Sequence, residues 1–161
     1  MIDRQEKSLI RSEIEALNAE FAYLIDHDLS DQVADLFTDT GSYGRGTGER
    51  STGRAALRTA YAVRASRGAR TARHLFTNLR LVYESATRVH GTTLLLLFAE
   101  DGTPPHKAEV NLLSEYEDIY ERDGDGVWRY ASRTVTTLFR QHDKPLVLPL
   151  GGAPATSETG G

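Results

Sequence analysis

A carboxylate and an imidazole on two different elements, each among apolar neighbours, are the parts from which an acid/base dyad is made. Asp26 ends a long amphipathic first segment, and His74 opens the first clear β-strand pattern. An imidazole exchanges protons near neutral pH, with an unperturbed pKa of about 6.5. A carboxylate beside it fixes the ring tautomer and stabilises the imidazolium that forms. The plain alternatives are a half-buried strand histidine and a helix-end carboxylate facing water. Which of the two applies depends on whether the elements carrying them bring the side chains together.

The first of those elements is a helix. Ile10, Ile14, Leu17, Phe21, Leu24 and Ile25 recur at steps of one, three and four, giving one apolar stripe. A projection at about 100° per residue puts Asp26 off that stripe, on a second, narrower face with Ala19 and Ala22. Such a face belongs to a surface helix, or to one wedged between a sheet and a pocket, where small alanines leave room for a ligand. Ser30 reads as the N-cap of a short helix, Asp31 to Phe37. The segment from Asp39 to Gly48 reads as a turn with one weak strand at Ser42-Tyr43-Gly44. A third helix is expected from Arg54 to Ser66, ended near Gly68.

The remainder reads as sheet, with strands at 72–83, 88–99, 107–121 and 127–140. The run from Thr92 to Phe98 is too apolar for an edge and should be central. Asp123-Gly124-Asp125-Gly126 is a tight hairpin connection. Helices followed by long antiparallel strands give an α+β domain. A strongly bent sheet with helices over one face makes a cone whose mouth is a natural ligand site. Residues 1–143 form this single domain, and 144–161, rich in Pro, Gly, Ser and Thr, read as a flexible tail.

Composition narrows the chemistry. With no cysteine in 161 residues, disulfides, thiolate metal sites and cysteine nucleophiles are excluded. The five histidines lack paired ligand spacing, so no metal is expected, and no glycine-rich phosphate loop follows a strand. A net charge of −4 argues against bulk attraction to nucleic acid or anionic membrane. Arginines do accumulate between Arg54 and Arg80 with no acid among them, a pattern that suits an anionic ligand, an acidic partner or RNA but reads first as a solvated face balanced by acids elsewhere. The longest apolar run, Leu94 to Ala99, is too short to span a bilayer. The N-terminus lacks the apolar core of a signal peptide, so a cytoplasmic protein is the expectation. Apolar residues on both faces of the run from Leu94 to Phe98 predict a homodimer or larger homo-oligomer.

The order of elements resembles the cone fold of nuclear transport factor two, and within it the SnoaL-like enzymes, over roughly residues 8–140. The resemblance rests on Tyr23-Leu24-Ile25-Asp26 followed by Asp28 to Phe37, then Thr52-Gly53-Arg54-Ala55-Ala56-Leu57. To these add Arg73-His74 with Thr77-Asn78, and Gly126-Val127-Trp128-Arg129-Tyr130. The branch that looks closest holds scytalone dehydratase and hexachlorocyclohexane dehydrochlorinase, which use a histidine base oriented by an aspartate. Those roles fall on His74 and Asp26. An arginine that assists the leaving anion in the dehydrochlorinase falls on Arg133. Strand alternation from Trp128 puts Arg133 on the opposite face unless a bulge shifts the register. The dehydrochlorinase carries a functional lysine where this chain has Phe21, which argues against that particular reaction.

The resemblance therefore implies a cofactor-independent acid/base enzyme, a dehydratase-like lyase or an isomerase or cyclase, acting on an apolar oxygenated small molecule. Tyr23, Tyr43, Phe21, Asn78 and Phe76 are the candidates for holding that substrate. The competing classes are a ligand-binding or interaction module without chemistry, and an epoxide hydrolase. The latter would need a second carboxylate beside Asp26 and Arg133.

Overall fold

In a computed structural model that describes residues 2–65 and 70–141, the elements follow the order the sequence suggests, with one short strand, Arg50–Thr52, added before the second α-helix. Helix α1 (Arg4–Asp26) starts at Asp3, whose side chain accepts from the Glu6 main-chain N–H at 2.8 Å, satisfying one of the donors a helix N-terminus leaves free. A 3-10 helix (Ser30–Leu36) leads into β1 (Phe37–Arg45), β2 (Arg50–Thr52) and helix α2 (Arg54–Ala65). Four long strands complete the chain: β3 (Arg70–Ser85), β4 (Arg88–Asp101), β5 (Leu112–Arg122) and β6 (Trp128–Arg140).

The six strands form one sheet in the order β2-β1-β6-β5-β4-β3, antiparallel except for the parallel pair β1–β6. The apolar β4 is therefore interior, as its composition requires. The sheet curls without closing, and the helices cover its concave face, giving an α+β cone. The stripe on α1 faces that hollow: Ile10, Ile14, Leu17, Phe21, Leu24 and Ile25 are all buried, against Tyr120, Trp128 and Tyr130 among others. Glu13 ties the helix to the far hairpin. One of its carboxylate oxygens accepts from the Trp128 indole at 3.0 Å and from Arg122 at 2.6 Å.

Three boundaries differ from expectation. The strand expected from residue 107 begins at Leu112. Pro104 and Pro105 cannot donate to a ladder, and the Asn111 side chain takes the strand's place, bonding both the N–H and the C=O of Ala99 at 2.6 and 2.8 Å. The weak strand around Tyr43 is nine residues long because it lies between β2 and β6. The short helix is a 3-10 helix that stops before Phe37, which already belongs to β1. The expected helix end at 66–68 and the tail, 144–161, fall outside the described residues.

Three of the arginines between Arg54 and Arg80 form ion pairs among the described residues. Arg54 pairs with Asp39, Arg58 with Asp35 and Arg70 with Asp101. No helix among the described residues is long and apolar enough to cross a membrane.

Candidate active site

The second face of α1 forms one wall of a cavity of about 680 Å³, within the range usual for small-molecule sites. Arg11, Glu15, Asn18, Ala19 and Ala22 line it, at the helical spacing that also carries Asp26. The facing wall comes from β3, through His74, Phe76, Thr77, Asn78 and Leu79, with Thr93 from β4. Two alanines in the middle of the helix face keep the groove open between the walls.

Strand β3 aims His74 and Phe76 inward by ordinary alternation, then breaks step. Thr77 opposes Leu94 and Arg80 opposes Thr92, so β3 holds one extra residue in between. Asn78 absorbs it in the left-handed region, at φ 56°, a conformation Asn tolerates better than most residues. The bulge brings Asn78 and Leu79 onto the cavity wall together with Thr77.

His74 and Asp26 meet at the end of this groove. The His74 ring Nδ1 donates to Asp26 Oδ1 at 2.6 Å, and the His74 main-chain N–H donates to Asp26 Oδ2 at 2.8 Å. Both side chains are largely buried, at 9% and 5% exposure. A carboxylate can only accept, so the Nδ1 position carries hydrogen, and Nε2 of the neutral ring keeps its lone pair. His74 lines the cavity and Asp26 supports it through Nδ1.

Beneath this wall lies a second polar assembly in the core. Arg133 is fully buried and is bonded twice to Asp118, from Nε and Nη2 at 2.9 Å each. The bulge that alternation alone could not foresee puts it there. Tyr120 opposes Tyr130 and Ile119 opposes Ser132, leaving Ala131 as the extra residue of β6. Trp128, Tyr130 and Arg133 consequently face the same side. Four aromatic rings surround the guanidinium, Tyr130 at 4.0 Å, Phe21 at 4.3 Å, Tyr116 at 4.7 Å and Phe76 at 5.0 Å. Its Nη1 is buried without a hydrogen-bond partner among the described residues.

Asn18 belongs to this core assembly and also lines the cavity. Its Oδ1 accepts from Arg133 Nη2 and from the Tyr130 hydroxyl, both at 2.7 Å, and its Nδ2 donates to the Tyr120 hydroxyl at 3.2 Å. Tyr120 in turn donates to Asp118 at 2.8 Å. Burial is the largest influence on Arg133 and opposes its charge. Attraction to Asp118, the hydrogen bonds to it and the neighbouring Tyr130 and Tyr120 phenols together outweigh burial and hold the guanidinium well above its ordinary pKa. Burial likewise pushes the Tyr116, Tyr120 and Tyr130 phenols upward, so all three stay protonated.

Of the residues singled out from the sequence, His74, Phe76 and Asn78 line the cavity and Asp26 stands behind His74. Phe21 packs under Arg133 in the core. Tyr43 is also buried, ring edge against Tyr61 at 6.1 Å. Tyr23 is half exposed and stacks on His27 at 4.1 Å, outside the cavity wall. Asn18, Asp118, Tyr120 and Tyr130 had not been singled out. The available signal was Asn18 itself, a polar residue four positions from Ile14 and adjacent to Leu17 within the apolar stripe. Among the described residues no cluster of His, Asp or Glu has the arrangement to hold a metal ion.

A curled, unclosed sheet under helices, with a cavity between α1 and β3, is the cone fold. The chain belongs to the SnoaL-like domain family, whose pattern matches residues 6–134. Comparison with curated proteins yields no match. Solved structures share the fold. A scytalone dehydratase-like protein from Novosphingobium aromaticivorans superposes with a TM-score of 0.76 at 18% identity, covering 94% of this chain and 100% of its own. LinA gives 0.69 at 21%, covering 90% and 98%. A protein from Catenulispora acidiphila, solved in complex with S-DNPA, gives 0.70 at 21%, covering 81% and 94%.

Proposed function

We propose that the protein is a cofactor-independent acid/base enzyme acting on a mostly apolar, oxygenated small molecule, with His74 as the base and Asp26 as its positioning partner. One observation carries this reading: the 2.6 Å contact between His74 Nδ1 and Asp26 Oδ1, in the wall of a cavity large enough for a substrate. Its support beyond geometry is membership of a family whose fold relatives include a scytalone dehydratase-like protein and LinA.

Elimination of water is the reaction that fits best. His74 Nε2 takes a proton from a carbon next to an activating group, and the C–H electron pair forms the new double bond. The hydroxyl on the neighbouring carbon departs with the proton returned by the imidazolium, so water leaves and the base is restored. Asp26 keeps Nδ1 protonated throughout and stabilises the cation. Isomerisation or ring closure uses the same dyad with the proton returned to carbon or oxygen of the substrate. Epoxide hydrolysis has less support: both oxygens of Asp118 are spent on Arg133 and Tyr120, and neither Asp118 nor Arg133 lines the cavity.

The test is turnover of β-hydroxy compounds bearing aryl, ketone or nitrile activation, followed by absorbance of the alkene formed. His74→Ala should lose about 10²–10⁴-fold in rate. Ala22→Leu, which fills the groove, should block turnover while leaving the melting temperature near that of the parent. Undiminished turnover in purified His74→Ala removes the reading.

A further inference from the structure

The outer face of the sheet, turned away from the cavity, is apolar where a solvated face would be polar. Alternation along β4 leaves Leu94 and Leu96 outside, beside the buried Thr93, Leu95 and Leu97. The ladders set Leu75 of β3 and Leu113 of β5 on either side of Leu96, and Val82 and Ile119 on either side of His90. Leu75 is 46% exposed and Val82 45%. An antiparallel sheet with one face in water ordinarily alternates apolar and polar residues, and contiguous exposed apolar area marks an interface.

Charge on the same face is arranged about the same line. Arg80 of β3 and Glu117 of β5 stand on either side of Thr92. Both are exposed, and neither has an ion-pair partner among the described residues. Two strand spacings, about 10 Å, separate them. With β4 as the midline, the rows set Val82 across from Ile119, Arg80 from Glu117, Thr77 from Glu115 and Leu75 from Leu113. Apolar lies across from apolar, and cation from anion. A surface of that kind complements itself when turned over about its midline.

We propose that a second copy of this chain docks face to face on β3–β5, with the two-fold axis running along β4. The rotation lays β3 of each copy over β5 of the other. Leu75 then meets Leu113, Val82 meets Ile119, and Arg80 meets Glu117, each contact occurring twice. Leu94 and Leu96 lie on the axis and pack against their own counterparts. Facing sheets sit about 10 Å apart, a gap that an arginine and a glutamate side chain span together. Other axes in this face fail. One along β5 sets Glu115 and Glu117 against their own copies, and like charges there repel. One across the strands through Thr77 and Leu94 brings Arg80 onto Leu75. The interface requires nothing of the chemistry at His74, although it covers the outer side of the strand that carries it.

Sedimentation of the full chain tests this, and the parent should run at twice the 17.8 kDa of one chain. Arg80→Glu places two acids at both charged contacts, and Glu117→Arg places two bases there. Each should weaken the dimer about 100-fold or more and sediment as a monomer, with the circular dichroism of the parent because both positions are exposed. Mixing the two variants makes both contacts unlike again, so a heterodimer should form from chains that do not dimerise alone. The double variant Arg80→Glu/Glu117→Arg should dimerise by itself. Those two rescues separate loss of the contact from loss of the fold. A parent that stays monomeric at its highest soluble concentration, or that forms a trimer or larger assembly, overturns the proposal. So does a dimer that survives both single substitutions, or a mixture of the variants that remains monomeric.

Discussion

Asp26 grips His74 with both carboxylate oxygens, one on the ring Nδ1 at 2.6 Å and one on the main-chain N–H at 2.8 Å. The second bond fixes where the carboxylate sits, so the first fixes which ring nitrogen is protonated. A lone bond to the ring would leave both groups free to turn. This pairing of a strand's own backbone with its side chain ties the dyad to the α1–β3 packing.

Asp26→Asn tests that geometry. The amide oxygen can still accept from the His74 main chain, which leaves the NH₂ group facing Nδ1. Nδ1 must then accept, and the ring proton moves to Nε2, the nitrogen that should take the substrate's proton. Turnover should fall by about two to four orders of magnitude, with little change in melting temperature. Nitrogen NMR of the ring should show the proton moved to Nε2. Retained activity together with an unmoved ring proton would contradict the assigned roles.

The hairpin between β5 and β6 offers a pH test outside the cavity. Asp125 accepts from Arg129 at 2.8 and 3.0 Å and from the Val127 N–H at 3.0 Å. The Arg129 bonds first, then the Val127 bond, lower its carboxyl from 3.8 to about 2. A depressed folded-state pKa stabilises the fold above the unfolded value and loses that contribution as pH falls through the folded one. Asp125→Asn should therefore lower the melting temperature slightly at neutral pH, and the difference should fade between 3.8 and about 2. Melting curves of both proteins across that window check it. A difference that stays constant with pH would rule out a charge-linked origin.

How much of this was legible beforehand depends on the range of the interaction. The buried stripe of α1 could be read because helical periodicity is local, and the alanine face beside Asp26 could be read for the same reason. Register could not. Ala131 and Asn78 are unremarkable residues in their strands, and their bulges arise from how β6 meets β5 and how β3 meets β4. Each reverses the alternation after it, which is why Arg133 lies inside and Leu79 reaches the cavity wall. The Asn111 side chain replacing a length of strand is invisible for the same reason, since its partner is Ala99 on β4. Pairing His74 with Asp26 as candidates came from family resemblance rather than from pattern, because nothing local links positions so far apart.

Arg133 and Asp118 make the sharpest stability prediction, because each is fully buried and each serves the other. Arg133→Met keeps a flexible apolar side chain among Phe21, Phe76, Tyr116 and Tyr130, where a thioether packs well. It nevertheless leaves the Asp118 carboxylate without its cation and removes one donor from Asn18. Stripping one partner from a buried pair costs about 3–5 kcal/mol, which corresponds to a fall of about 10 °C in melting temperature for a chain of this size. Asp118→Leu should cost a similar amount by stranding the guanidinium. The double variant Arg133→Met/Asp118→Leu should then be more stable than the sum of the single losses allows, since no uncompensated charge remains. Urea unfolding of the four proteins measures that coupling directly. Strictly additive losses would mean that the two side chains are stabilised separately, and that Asn18 is oriented by something other than a paired guanidinium.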